Sequence, residues 1–205
     1  MYFAITTILR LAAEFSVISV LLLVAAQPAQ TQTETVLYSF CPGGIPCTGG
    51  ADPRAGLIMD KEGNLYGTTS WGGSNYYYGT VFRLTPSGTE TVLYSFGSQG
   101  GCADGCNPSS DLILDKEGNL YGTTEVGGPS SGGTVFKLSP SGTETVLYGF
   151  GSQSEEFYYP YAGLITDKMG NLYGTTSEGG ASTNCRNGCG TVFKLAPSGT
   201  ETVLH

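Results

Sequence analysis

The ten residues DKEGNLYGTT at positions 60–69 return unchanged at 115–124, and once more as DKMGNLYGTT at 167–176. Two chemistries compete for this stretch. A calcium loop wants oxygen ligands at alternating positions, as in D-x-[DN]-x-[DN]-G, with a distal Glu. Here Lys holds the second place, and the third is Glu62, Glu117 or Met169. A β-hairpin turn wants a polar residue at its first corner and a residue tolerant of positive φ near its end. Asp supplies the first by accepting hydrogen bonds from the turn's own backbone, and Gly supplies the second. Asp60, Asp115 and Asp167, with Gly63, Gly118 and Gly170, therefore read as structural turn residues. No metal and no cofactor is expected.

Working outward, each copy sits in a longer repeat. After DKEGNLYGTT come a Gly-Gly pair, then GTVFRL or GTVFKL, then a second turn (TPSGT, SPSGT or APSGT), then ETVLYSF or a close relative. The units span about 51–96, 107–150 and 161–205 of a repeat domain at 33–205, and an additional TETVLYSF at 33–40 precedes the first. Four short β-prone runs recur in each unit, LIMD, LYGTT, TVFRL and ETVLYSF in the first. None is long or periodic enough for a helix. Four strands in about 50 residues, repeated head to tail, predict an all-β fold of propeller type with four-stranded antiparallel blades. A β-solenoid is the rival. Its coils are usually about 20–30 residues and need no pair of tight hairpins.

The beginning of the sequence has a different character. MYFAITTILR carries a single positive charge, and an apolar run of twelve residues at 15–26 leads into QPAQTQ. Charged start, short apolar core and small residues at the cut are the layout of an export signal, with cleavage expected after Ala26 and a short linker at 27–32. The run is shorter than the roughly 20 residues a membrane span needs, so no span is expected in the mature chain. Export makes the protein extracellular or cell-surface, with the periplasm as the alternative compartment. In an oxidising compartment the close pairs Cys41/Cys47, Cys102/Cys106 and Cys185/Cys189 read as disulfides. A zinc site built from two pairs is the alternative, but the spacing is not C-x2-C and no His accompanies them.

The succession G-N-L-Y-G-T-T, G-G, G-T-V-F-K-L and T-V-L-Y-S-F resembles the GloVer (Gloeobacter–Verrucomicrobia) tandem repeat. The resemblance covers essentially all of 33–205. It implies an exported, propeller-like bacterial repeat protein, often surface-attached. It implies no established chemistry, so no catalytic residue is carried over.

In such a blade the two repeated turns share one face of the disc. The loops that differ between units, and all six cysteines, share the other. That variable face also carries Trp71, Tyr76, Tyr77, Tyr78, Phe157, Tyr158, Tyr159 and Tyr161. Aromatic rings among small polar groups suit sugars or polypeptide surfaces, because each ring offers a flat apolar face and a polar edge. The competing reading is that these rings pack between blades or over their own loops. Surface binding or adhesion to glycan or protein is the expected function. A spacer with no ligand is one alternative, and a carbohydrate-active enzyme using loop carboxylates such as Glu125 and Glu178 is the other. Catalysis is not expected: the single His is His205, and no nucleophile–base pair, Walker loop or zinc-protease motif occurs. A net charge of −8 with nine Lys and Arg excludes a nucleic-acid backbone as partner. Closed propellers have about four to eight blades, so three units predict an incomplete ring. Continuation beyond His205 or self-association would complete it.

Overall fold

The structure, a computed structural model, describes residues 33–74, 77–151 and 158–205. The export signal at 1–26, the linker at 27–32, Tyr76 and Phe157 lie outside the described residues. Within Leu37–His205, one compact unit, the chain forms three antiparallel sheets and no helix among the described residues. The first sheet runs in the order β1 (Ile58–Met59), β2 (Leu65–Thr69), β3 (Thr80–Leu84), β4 (Glu90–Ser95). The second contains β5 (Cys106–Pro108), β6 (Ile113–Leu114), β7 (Leu120–Val126), β8 (Thr134–Leu138) and β9 (Glu144–Gly149). The third is β10 (Ile165–Thr166), β11 (Leu172–Thr176), β12 (Thr191–Leu195) and β13 (Glu201–Val203), in that order. The all-β propeller-type repeat expected from the sequence is thus present, with two refinements.

First, the opening strand of a blade is short and broken. In the second sheet β6 pairs with the start of β7 and β5 with its end. The corresponding pairing in the first sheet is a single bridge, Ala51 to Trp71. Second, the run at 33–40 has the letters of a strand but forms none. Among the described residues no strand stands beside it, whereas its copies β4 and β9 pair with β3 and β8. Its Phe40 still reaches the first sheet, 4.9 Å centre to centre from Phe82.

That aromatic contact repeats. Phe96 follows β4 and meets Phe136 of β8 at 5.2 Å, and Phe150 follows β9 and meets Phe193 of β12 at 5.1 Å, all edge-on. A four-stranded sheet cannot bury both its faces by itself. The phenylalanine at the end of one unit therefore inserts into the next. Around each contact lies one apolar layer: Val81, Phe96, Leu112, Leu120, Phe136 and Leu138 between units one and two, and Val135, Phe150, Leu164, Leu172, Phe193 and Leu195 between two and three.

The letters of LYGTT follow from this layering, because successive side chains on a strand point to opposite faces. Leu120 joins the layer with the preceding unit, and Tyr121 the layer with the following one. Gly122 has no side chain because a Cβ would stand 2.8 Å from Leu112 and 2.9 Å from Phe136. Thr124 shares a 2.8 Å hydroxyl bond with Thr134 across the strands, as Thr69 does with Thr80 and Thr176 with Thr191.

Replacing Phe136 by Ala is expected to cost about 3–5 kcal/mol in urea unfolding, the range for a large core aromatic. Val192→Ala serves as the comparison. It occupies the place of fully buried Val81 and Val135 but is 37% exposed, and its truncation is expected to cost less than about 1 kcal/mol.

Candidate functional site

Antiparallel strands place the β1–β2 and β3–β4 turns at one end of the first sheet, and the β2–β3 loop and the inter-unit connections at the other. The turn carrying the repeated Asp is self-contained. One oxygen of Asp115 accepts the backbone N–H groups of Glu117 (3.0 Å) and Asn119 (2.8 Å). The other accepts the Asn119 side-chain amide (2.8 Å) and the Tyr121 hydroxyl (3.0 Å). Asp60 and Asp167 hold the same four kinds of donor at 2.7–3.0 Å. Gly63, Gly118 and Gly170 follow at φ 82°, 85° and 80°. With four donors on each carboxylate, no oxygen is left over for a metal ion or for proton transfer.

At the loop-bearing end, Cys41–Cys47, Cys102–Cys106 and Cys185–Cys189 are disulfide-bonded. Each closes a small ring, worth about 2 kcal/mol in the chain-entropy picture. The first two also anchor a neighbouring loop: the carbonyls of Cys47 and Cys102 accept the N–H groups of Gly73 and Gly128 at 2.9 and 2.7 Å.

Between these loops of units one and two opens a cleft of about 520 Å³, bordered by Arg54, Trp71, Tyr77, Tyr78, Asn107 and Glu125. Its aromatic residues divide by role. Trp71 (45% exposed) and Tyr77 (60% exposed) meet edge to face at 6.4 Å and present apolar surface to solvent. Tyr78 is partly buried against the apolar layer beneath, and its carbonyl accepts the Asn107 N–H at 2.9 Å. The Asn107 side chain donates to the Ser70 carbonyl at 2.9 Å, tying unit two to unit one across the cleft floor. Arg54 forms an exposed ion pair with Asp52 at 2.8 Å.

The second aromatic group, Tyr158, Tyr159 and Tyr161, belongs to the junction of units two and three. Tyr158 packs on Phe150 at 5.7 Å within the apolar layer. Tyr159 and Tyr161 stack at 6.1 Å with nearly parallel planes. Tyr161 donates to Glu125 at 3.0 Å, and burial together with that carboxylate pushes its hydroxyl up to about 12. Tyr159 stands where units one and two have Asp52 and Asn107, and all three adopt positive φ (44°, 60° and 55°). Asp and Asn accept that conformation readily, whereas a bulky ring does so rarely. Glu178, the other acid singled out in the sequence, accepts the Asn187 side-chain amide at 3.0 Å.

The family model of the Gloeobacter/Verrucomicrobia repeat matches residues 23–205. The chain belongs to the Gloeobacter/Verrucomicrobia repeat family. No curated protein matches the sequence. Solved structures similar to the chain include virginiamycin B lyase from Staphylococcus aureus (10% identity, TM-score 0.46, covering 74% of this chain and 40% of that one). The extracellular domain of a protein described as a one-component system of B. thetaiotaomicron is also similar (13%, 0.49, 87% and 18%), as is a luciferin-regenerating enzyme (15%, 0.43, 73% and 44%). The chain spans less than half the length of each of these proteins.

One departure from the family's internal repetition was not legible in the letters. Tyr38 and Tyr148 lie beside Glu90 and Glu201, the glutamates opening β4 and β13, and burial, then these carboxylates, push their hydroxyls up. By that pattern Tyr94 would lie beside Glu144. Instead it donates to Asp104 at 2.6 Å, and Asp104, itself buried, also accepts the Gly97 N–H at 3.0 Å. Glu144, like Glu90, has a buried oxygen without a partner among the described residues, and it also lacks the tyrosine. Burial, then repulsion from Asp104, pushes its carboxyl up to about 7. The sequence signal for this is the disulfide loop C-A-D-G-C, whose Asp has no counterpart in the other units.

These groups set opposite limbs of a pH profile. Glu144 titrates at 4.5 when unperturbed and near 7 when folded. It therefore opposes folding at pH above 7, and the penalty vanishes as pH falls toward 4.5. The turn aspartates titrate below 3.8 when folded, Asp167 at about 2. Their stabilisation is complete above about pH 4 and is lost on further acidification. The thermal midpoint is expected to peak between about pH 4 and 5. Glu144→Gln is expected to raise it at pH 8 and leave it unchanged at pH 4.5.

Proposed function

We propose that this repeat protein is exported and non-enzymatic, and that it binds glycan at the cell surface through the cleft between the loops of units one and two. Export is supported by the signal-like segment at 1–26 together with three disulfides. The observation that carries the binding reading is the pair Trp71 and Tyr77. These two large rings are left exposed at the mouth of a cleft whose floor is fixed by Asn107 and the Cys102–Cys106 disulfide. Flat apolar rings beside fixed polar groups are suited to the faces and hydroxyls of a sugar ring. The non-enzymatic reading is supported by the cleft's acids. Among the described residues bordering it, Glu125 is the one carboxylate, and it is engaged by Tyr161. Glycosidic cleavage by the usual route needs two.

A glycan array probed with the wild type and with a Trp71→Ala, Tyr77→Ala double variant tests this. Selective binding that falls about tenfold or more in the double variant is expected. Equal binding by both proteins would remove the cleft from the reading. Release of shortened glycan, abolished by Glu125→Gln, would replace binding with catalysis.

A further inference from the structure

A second, larger groove of about 1090 Å³ lies at the opposite, turn-bearing end, again between units one and two. Met59, Leu93, Leu114 and Tyr66 supply apolar lining to the groove. Arg83 of β3 also lines it. In β3 Arg83 faces Tyr66 across the strands. The same place in the second and third units is held by lysines, Lys137 opposite Tyr121 and Lys194 opposite Tyr173. Lys137 finds its partner locally, with its ammonium 5.7 Å from the centre of the Tyr121 ring.

The Arg83 side chain makes no hydrogen bond among the described residues. Its Nε is buried and unpartnered, and the ion pair among the described residues belongs to Arg54. A buried N–H without an acceptor is costly, and Arg83 keeps that donor unused beside the groove. The aspartates of the same groove are not free to serve. Asp60 and Asp115, which line the same groove, are each saturated by four donors from their own turn. A guanidinium presents a planar fork that matches a carboxylate or a phosphate through two parallel hydrogen bonds, which an ammonium cannot do.

The rest of the lining selects between those two anions. With Arg83, Lys61 and Lys116 bring the positive charges of the lining to three, against four carboxylates, Asp60, Glu62, Asp115 and Glu117. A dianionic phosphate, with both charges on one group, would meet these carboxylates unfavourably. A monovalent carboxylate flanked by hydroxyls would use them, since Glu62, Glu117 and Ser141 can accept hydrogen bonds from hydroxyl groups. The apolar lining suits the flat face of a sugar ring. We infer that this groove binds a sugar acid, with the uronate carboxylate held by the Arg83 guanidinium and the ring lying over Tyr66 and Leu114. The site is separate from the loop-face cleft and stands or falls independently of it.

The test is calorimetric titration of the full chain with trigalacturonic acid, with cellotriose and inorganic phosphate as controls. Trigalacturonate is expected to bind at least about tenfold more tightly than either control. Arg83→Lys keeps the charge and loses the fork. It is expected to fold normally, since lysine fills this place in the other two units, and to weaken trigalacturonate binding about tenfold. Arg83→Met is expected to weaken it further, and the Trp71→Ala, Tyr77→Ala double variant to leave it unchanged. Thermal midpoints of all variants establish that they are folded. Phosphate binding as tight as trigalacturonate overturns the sugar-acid assignment. Undiminished trigalacturonate binding by Arg83→Met overturns the role of Arg83. Loss of trigalacturonate binding in the double variant, with Arg83→Met unaffected, moves the ligand to the loop face.

Discussion

The edge-on contact between the last phenylalanine of one unit and the β-strand phenylalanine of the next is what the remainder of the fold depends on. Phe40 on Phe82, Phe96 on Phe136 and Phe150 on Phe193 meet at 4.9–5.2 Å. Each contact requires a glycine beneath the receiving ring, because a Cβ at Gly67, Gly122 or Gly174 would stand within 2.9 Å of that ring. The leucine two residues before the glycine, and the threonines after it, then fall into place by strand alternation. The LYGTT letters are therefore one packing solution copied three times, and the loops vary around it, reaching it through single rings such as Tyr78 and Tyr158.

The turns follow a different logic. Their aspartates are satisfied within seven residues, by two backbone amides, one side-chain amide and one tyrosine hydroxyl. That saturation removes them from chemistry and makes them insensitive to what surrounds them. It also explains how Met169 can replace Glu62 and Glu117: the third turn position contributes only its N–H to the aspartate.

The fold was legible because its determinants are short-range and repeated. Turn residues, strand alternation and a unit of about 50 residues are all visible in the letters. The separation of turn end from loop end follows from antiparallel order alone. The division among the tyrosines was not legible. Tyr77 and Tyr78 are neighbours in sequence, yet one faces solvent and the other packs on the apolar layer, a distinction set by the course of the loop. Nor could the letters show that Asp104 takes the tyrosine of Glu144, because that exchange arises from the path of a disulfide-closed loop. The groove at the turn end was missed for a related reason. Repetition suggested a uniform surface, and the single Arg among lysines at positions 83, 137 and 194 was the signal against it.

The phenylalanine contact also fixes a symmetry. It is heterologous: each unit offers its terminal ring at one side and a seat for a ring at the other, and the two are different surfaces. Two stacks cannot satisfy one another by presenting the same side, as a face-to-face isologous pair does. Joined through this contact, they run head to tail, either closing into a ring or continuing as an open filament. Direction along the stack is thus built into every unit.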